Sequence, residues 1–289
     1  MNTSVLTLVR NRRSNLENLM RGLRQSKVLP RELVIVYMNE KPYADLPELP
    51  FPVRPVSIAN DDPRDKTPLA LSRNAAARHA SEELLLFLDV DCIPHPDLIG
   101  EMIRWQRERP GLLMGDIRYL PEMNLGKWTY ADLDRYGKAH PVRPVVAPGE
   151  YLPEQNYTLF WSLCFSIRRE EFFATGGFDE DYIGYGAEDT DFAFRAQQQE
   201  IPFGIIGARA YHQYHHVYRP PLHNFRSIVK NANTFHQKWN RWAMEKWLGE
   251  FVESGHVAWE EASASPARIL REPTEEEIAA NRKTDGRGF

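Results

Sequence analysis

Asp89 and Asp91 stand one residue apart at the end of an unbroken apolar run, Leu84 to Leu88. Five apolar residues followed at once by charge form the pattern of a strand buried on both faces that stops at a polar site. In open α/β sheets ligands collect at the carboxyl ends of strands, and alternation along an extended chain would point both carboxylates to one side. Two adjacent carboxylates repel unless a proton or a cation neutralises them, so a hard divalent ion is the economical partner. An Asp-x-Asp triplet is common by chance, and Pro94 and Pro96 also permit a helix-capping reading. The position after a buried strand is what favours chemistry.

Three further clusters have the residue types of a site. Tyr211 to His216 holds three of the nine histidines, and His212 and His215 have a spacing that lets two imidazoles reach one ion. Oxygen ligands from aspartate with nitrogen from His212 and His215 suit manganese or a similar divalent metal better than calcium. Arg10, Arg12 and Arg13 crowd between a strand end and a helix start, where free backbone N–H groups would help them meet an anion. Glu188, Asp189 and Asp191 fall in the first turn of a helix behind a glycine and aromatic segment, Gly176 to Gly186. Helix-dipole complementarity would account for one or two of these carboxylates, and three suggest more.

The elements that must position these residues follow from periodicity. Val5 to Val9, Glu32 to Met38 and Val53 to Ile58 read as strands, and Ser14 with Glu17 fits a capping box opening a helix with Leu16, Leu19, Met20 and Leu23 on one face. Asn39 and Glu40 end the second strand where a base or ribose could be contacted. A polar loop, Asn60 to Lys66, leads into an alanine-rich helix over Pro68 to Ala80 that carries Arg73, a further donor-binding candidate. Asp97 to Arg107 reads as a helix and Leu112 to Tyr119 as a strand. Leu120 to Gln155 lacks periodicity and reads as a substrate-facing insertion. Thr158 to Ile167 and Phe203 to Ala210 read as strands, Ala187 to Gln198 as a helix and Leu222 to Phe251 as one long helix. The tail from Ser263 reads as loosely attached.

Composition narrows the function class. With 289 residues, 42% hydrophobic and 26% charged, the chain suits one large α/β domain. A net charge of −4 gives no global field for nucleic acid or an anionic membrane. Lys230, Lys238, Arg241 and Lys246 leave peripheral membrane contact open on the long helix. Two cysteines inside apolar runs, Cys92 and Cys164, suit a reducing cytoplasm, and neither an export signal nor an 18-residue apolar run occurs. There is no GxGxxG, which disfavours a dinucleotide dehydrogenase, and no nucleophile elbow, P-loop or CxxC site.

In order along the chain, Arg10-Asn11-Arg12, Phe87 to Pro94 and Gly176 to Asp191, together with His212 and His215, resemble the metal-dependent glycosyltransferases of the GT-A fold. The resemblance is strongest to the β-1,4-galactosyltransferase type and its bacterial family 2 relatives. It implies an α/β fold in which a Rossmann-like nucleotide-binding half and an acceptor-binding half share one mixed central sheet. The implied divisions are 1–119 for the nucleotide-sugar half, 120–220 for the acceptor half, and 221–289 for a C-terminal helical extension and tail. It also implies a UDP-sugar donor carrying a galactose or N-acetylhexosamine type of sugar, a saccharide or lipid-linked saccharide acceptor, and inversion. Arg10, Arg12, Asn39, Glu40, Arg73, Asp89 and Asp91 would meet the donor. Asp189 would be the general base, Glu188 would hold the acceptor, and Tyr185 with Gly186 would line the acceptor site. Ile183 and Tyr185 replace two family tryptophans, and Ser162-Leu163 replaces a Gly-Gly. The alternatives are a retaining enzyme of the polypeptide N-acetylgalactosaminyltransferase type and a catalytically silent nucleotide-sugar-binding protein.

Overall fold

Alternation along the first strand sets the layers of the molecule. In the computed structural model, which describes residues 1–59 and 67–283, β1 (Thr3–Val9) is buried throughout. Leu6 and Leu8 pack into one core and Val5 and Val9 into another, on opposite faces of the sheet. The polar loop read at Asn60 to Lys66 lies outside the described residues.

The first half is a run of parallel units. After β1 come α1 (Arg13–Arg24), β2 (Glu32–Met38), β3 (Val53–Ile58), α2 (Leu69–His79) and β4 (Leu84–Leu88). Strands β3, β2, β1 and β4 lie side by side and parallel. Helix α1 covers one face with Leu16, Leu19, Met20 and Leu23, and α2 covers the other through Ala70, Ala76 and Ala77, whose short side chains let it pack closely on the sheet. The expected capping box does not form: α1 starts at Arg13 with no side-chain cap, and Glu17 is taken up by the Arg13 guanidinium at 2.8 Å.

The second half mixes strand directions. A short β5 (Cys92–Pro94) precedes α3 (Leu98–Glu108) and β6 (Leu112–Tyr119). The next segment, expected to be irregular, forms α4 (Tyr130–Tyr136), β7 (Lys138–Ala139) and β8 (Tyr151–Glu154). The two short strands join the central sheet. Then follow β9 (Cys164–Arg168), α5 (Arg169–Ala174), α6 (Glu188–Gln198) and β10 (Phe203–His212). Strand β9 runs antiparallel between β4 and β6, while β10 is parallel to β6 and antiparallel to β5. The ten described strands make one mixed sheet, as the α/β reading expects.

Three sequence expectations fail for identifiable reasons. Thr158 to Ile167 is strand only from Cys164, because Asn156 caps a 3-10 turn at Tyr157–Leu159 and Phe160 buries its ring without pairing. The long helix expected over Leu222 to Phe251 is α7 (Phe225–Trp239) and α8 (Glu245–Glu253). Asn240 and Met244 take left-handed φ values of 50° and 60° between them; asparagine tolerates that conformation and ends helices with it. The tail is tied down: a strand pair at β11 (Val217–Tyr218) and a second at β12 (Val257–Ala258) receive β14 (Arg282–Lys283) and β13 (Arg268–Ile269). Between those two strands, α9 (Glu275–Ala280) begins with a capping box from Thr274 and Glu277.

The extension docks on the sheet domain through a buried charge. Asp191 on α6 is fully buried and accepts hydrogen bonds from Tyr182 Oη at 3.2 Å, Trp239 Nε1 at 2.8 Å and Arg195 Nε at 2.8 Å, with Lys238 Nζ also at 2.8 Å. Its charge is therefore structural. Lys238 also holds Asp179, and Lys230 donates to the Asp181 carbonyl, so two of the four cations expected on a basic flank serve internal contacts. Removing one partner of a buried ion pair costs about 3–5 kcal/mol, and Asp191→Ala is expected to destabilise the protein by that amount in chemical denaturation.

Candidate active site

Strand pairing brings the metal-type ligands together. Beyond Leu88 the chain turns through Asp89, Val90 and Asp91, closed by the Cys92 N–H donating to the Asp89 carbonyl at 2.8 Å. The β5–β10 register then sets His212 opposite Cys92, and the Gln213 N–H bonds the Asp91 carbonyl. His212 Nε2 reaches Asp91 Oδ1 at 3.5 Å and His215 Nε2 reaches Oδ2 at 3.7 Å. One ligand atom from each of the three lies within 4.8 Å of the others. His216 turns to Tyr214 and is outside this group.

These residues fit a divalent cation. Asp91 Oδ1 and His212 Nδ1 are buried without a hydrogen-bond partner among the described residues, a state that is costly unless something else satisfies them. Burial pushes the His212 imidazole down to about 4, so it is neutral and ligand-ready at pH 7. Burial would raise the Asp91 carboxyl, but the cationic groups around it win and hold it below the ordinary range. With His212 neutral, the cation at hand is Arg12, whose Nη1 sits 2.6 Å from Asp91 Oδ2.

Residues 89–91 form a turn and not the extended chain whose alternation would point Asp89 and Asp91 to one side, and their nearest partners differ. Asp89 faces Arg73 at 3.9 Å, and the same guanidinium holds Glu188 at 3.1 Å. Arg73 is 4% exposed and lies over the Phe178 ring, so in this structure it is a brace between the strand end and α6. Glu188 also accepts from the Gly186 N–H, so both of its oxygens are engaged. Burial outweighs Arg73 at Asp89 and raises its carboxyl to about 7. Asp189 is more open. Its Oδ1 accepts the Thr190 N–H at 2.8 Å, and burial with the Glu188 charge raises it to about 6.

At the other margin, Arg10 and Arg12 end β1, and Asn11 between them takes a left-handed φ of 53°. Glu40 is occupied: one oxygen accepts the Asn11 N–H and the other the Tyr43 hydroxyl. Asn39 also has a left-handed φ, and its N–H donates to the Ile58 carbonyl.

The sequence reading missed what the extension contributes. Asn231 on α7 is fully buried, and its amide bonds the Ile183 N–H at 3.2 Å and the carbonyls of Ile183 and Gly186 at 3.0 and 2.9 Å. It thus fixes the backbone around Tyr185, whose ring stands 40% exposed and 5.9 Å from Trp247 on α8. At Gly186, φ is +108° and a Cβ would lie 2.4 Å from Met244 Sδ, so glycine is required there. One signal was available: Asn231 is a polar residue on the apolar stripe of Ile228, Ala232 and Phe235.

Three outcomes follow from this geometry. Manganese is expected to raise the melting temperature of the protein, and Asp91→Ala to remove that rise. Arg12→Ala should bind manganese alone severalfold more tightly, since a competing cation leaves Asp91 Oδ2. Asn231→Ala, which strands the 183–186 backbone groups, should cost about 1–3 kcal/mol in denaturation and speed limited proteolysis at that loop.

Known proteins share this arrangement in part. Residues 62–171 match the family model described as glycosyl transferase family 2, and residues 143–220 match that described as the N-terminal domain of galactosyltransferase. Two validoxylamine A glucosyltransferases, from Streptomyces hygroscopicus subspecies jinggangensis and limoneus, are each 25% identical over 207 residues. That covers 59% of this chain and 44% and 41% of theirs, so the chain spans less than half the length of these curated relatives. Among solved structures, residues 1–349 of S. aureus TarS superpose with a TM-score of 0.54 at 16% identity, over 82% of this chain and 66% of that one. GalNAc-T7 with UDP, GalNAc and Mn2+ gives 0.50 at 14% identity, over 74% and 43%. The mixed sheet and these structural neighbours give the chain the GT-A fold, and two stretches of it, residues 62–171 and 143–220, match glycosyltransferase family models.

Proposed function

We propose that the protein transfers a sugar from a nucleotide sugar, most simply a UDP-sugar, to a hydroxyl of a saccharide or lipid-linked saccharide with inversion at the anomeric carbon. The observation that carries this reading is the juxtaposition of two unlike carboxylate sites joined by Arg73. Asp91 with His212 and His215 forms a cation site, and Asp189 is a raised, open carboxylate beyond it. The structural neighbours solved with UDP, and in one case with Mn2+, support the donor class. A glucosyltransferase among the relatives adds glucose to galactose and the N-acetylhexosamines as the sugar to test.

A manganese or magnesium ion held by Asp91, His212 and His215 would neutralise the charge that grows on a leaving diphosphate. Arg12 is held by Asp91 and would be free to meet the donor diphosphate once that carboxylate took a metal. Arg10 adds a second guanidinium at the same strand end. Tyr185, with Trp247 beside it, offers an aromatic face to the acceptor ring. Asp189 takes the acceptor proton: a carboxyl near 6 is ionised at pH 7 yet more basic than an exposed aspartate. Glu188, braced by Arg73, raises the basicity of Asp189 by its charge and fixes the start of α6. Cys92 and Cys164 are buried free thiols, which suits a reducing compartment such as the cytoplasm. No described helix is long and apolar enough to cross a membrane.

Transfer, or slow donor hydrolysis as its surrogate, should rise with pH through about 6 and then level off. Asp189→Asn should lower turnover by roughly a hundredfold or more while UDP binding in manganese is kept. The same shift has a stability signature. The native pKa lies above the ordinary 3.8, so the folded state holds the proton more tightly, and stability falls as pH rises through about 6. Asp189→Asn should flatten that fall; turnover near the parent's would refute the base.

A further inference from the structure

One buried charge takes no part in the chemistry above. Arg143 sits in the proline-flanked connection between β7 and β8, and its guanidinium carbon lies 3.5 Å from the centroid of the Trp161 ring. Neither terminal nitrogen has exposed surface or a hydrogen-bond partner among the described residues. Stacking on an indole occupies the face of a guanidinium and leaves its N–H edges aimed sideways, the geometry that binds an oxyanion in two-point fashion. Burying those donors unpaired is unfavourable, and it persists where a ligand completes the set.

The surroundings say where such a ligand would lie. Trp161 packs edge-on against His140 at 5.0 Å, His140 against Tyr119 at 5.7 Å, and Tyr119 against His212 of the cation site at 4.9 Å. Trp161 also adjoins Ser162-Leu163, whose Leu163 carbonyl accepts the Asp89 N–H. On the other side, the carboxylate whose field reaches Arg143 is Asp189. Arg143 is thus linked by a chain of packed rings to His212 of the cation site and lies in the field of Asp189. No periodicity and no pattern of charge marks residues 140–150.

We propose that Arg143 is an oxyanion receptor for the donor, pairing through its two terminal nitrogens with an anionic group held between the cation site and Asp189. This rests on the nucleotide-sugar reading. Two sources share that chemistry: the diphosphate oxygens, and a carboxylate on the sugar itself. The side chain adjusts on its flexible stem as the ligand enters, exchanging an unpaired burial for a charge-assisted pair.

The test compares parent, Arg143→Met and Arg143→Lys in manganese, measuring dissociation constants for uridine, UDP, UDP-glucose and UDP-glucuronic acid. Expected for Arg143→Met is a loss of tenfold or more in the preference for UDP over uridine, with Arg143→Lys between it and the parent, because lysine keeps the charge and loses the fork. A tenfold loss confined to the preference for UDP-glucuronic acid over UDP-glucose would assign the receptor to a sugar carboxylate. General damage to the fold weakens uridine equally and leaves both ratios unchanged; that result overturns the proposal, whatever happens to the melting temperature. A parent that binds UDP and neither loses nor gains either preference on substitution overturns this inference alone, whereas a parent that binds none of the nucleotides overturns the donor reading as well. A further readout is ligand-free stability: removing an unpaired buried charge should leave the melting temperature of Arg143→Met equal or higher, and a structural brace would lower it.

Discussion

Four carboxylates, Asp89, Asp91, Glu188 and Asp189, converge on one partly buried region, and the site depends on keeping them apart in charge. Two arginines share this task. The Arg73 guanidinium, almost wholly out of water, holds Glu188 at 3.1 Å and faces Asp89 at 3.9 Å, joining the end of β4 to the start of α6. Without a buried cation there, mutual repulsion and desolvation would protonate the cluster or open it. Arg12 beside Asp91 holds that carboxylate down, while burial outweighs Arg73 at Asp89 and Asp189. Asp91 stays below the ordinary range, while Asp189 rises to about 6 and Asp89 to about 7. Environments that push similar groups apart are how one site provides both a cation ligand and a proton acceptor.

The cation half follows from backbone pairing more than from side-chain attraction. Antiparallel alignment of β5 with β10 places His212 opposite Cys92, one residue from Asp91, and parallel alignment of β10 with β6 sets Tyr119 against the same histidine. The ligands are thus carried by strands whose own positions are fixed by cores on both faces. The Arg12 guanidinium on Asp91 Oδ2 ties this group of side chains to the loop after β1.

The C-terminal extension is part of the working unit. It has a core of its own, including Phe225, Ile228, Leu248 and Phe251, and it meets the sheet domain through two buried polar groups. Asp191 draws Trp239 and Lys238 onto α6, and Asn231 grips the backbone on both sides of Tyr185. Buried polar groups of this kind specify a single docking geometry, since any shift leaves them unpaired. The loop that presents Tyr185 is accordingly held from behind by a segment remote in sequence.

Several strands were legible from the chain alone: Glu32–Met38 and Val53–Ile58 fall where the pattern puts them, and the unbroken apolar run Leu84–Leu88 does lead into the acidic turn. So was the grouping of Asp91, His212 and His215, because residue type restricts which side chains can bind a cation. Local pattern failed where a distant partner decided the outcome. The apolar run from Thr158 reads as strand although Tyr157–Leu159 form a 3-10 turn and Phe160 buries without pairing, and the helix from Leu222 reads through a break set by Asn240 and Met244. It also failed for charge. Asp191 and Asp189 are two residues apart in one helical turn and look alike in sequence, yet one is sealed by four donors from three segments and the other is left partly open. Periodicity reports which face of an element is apolar. Which polar groups meet on the buried side, and with what pKa, depends on long-range pairing and desolvation that exist only once the chain has folded.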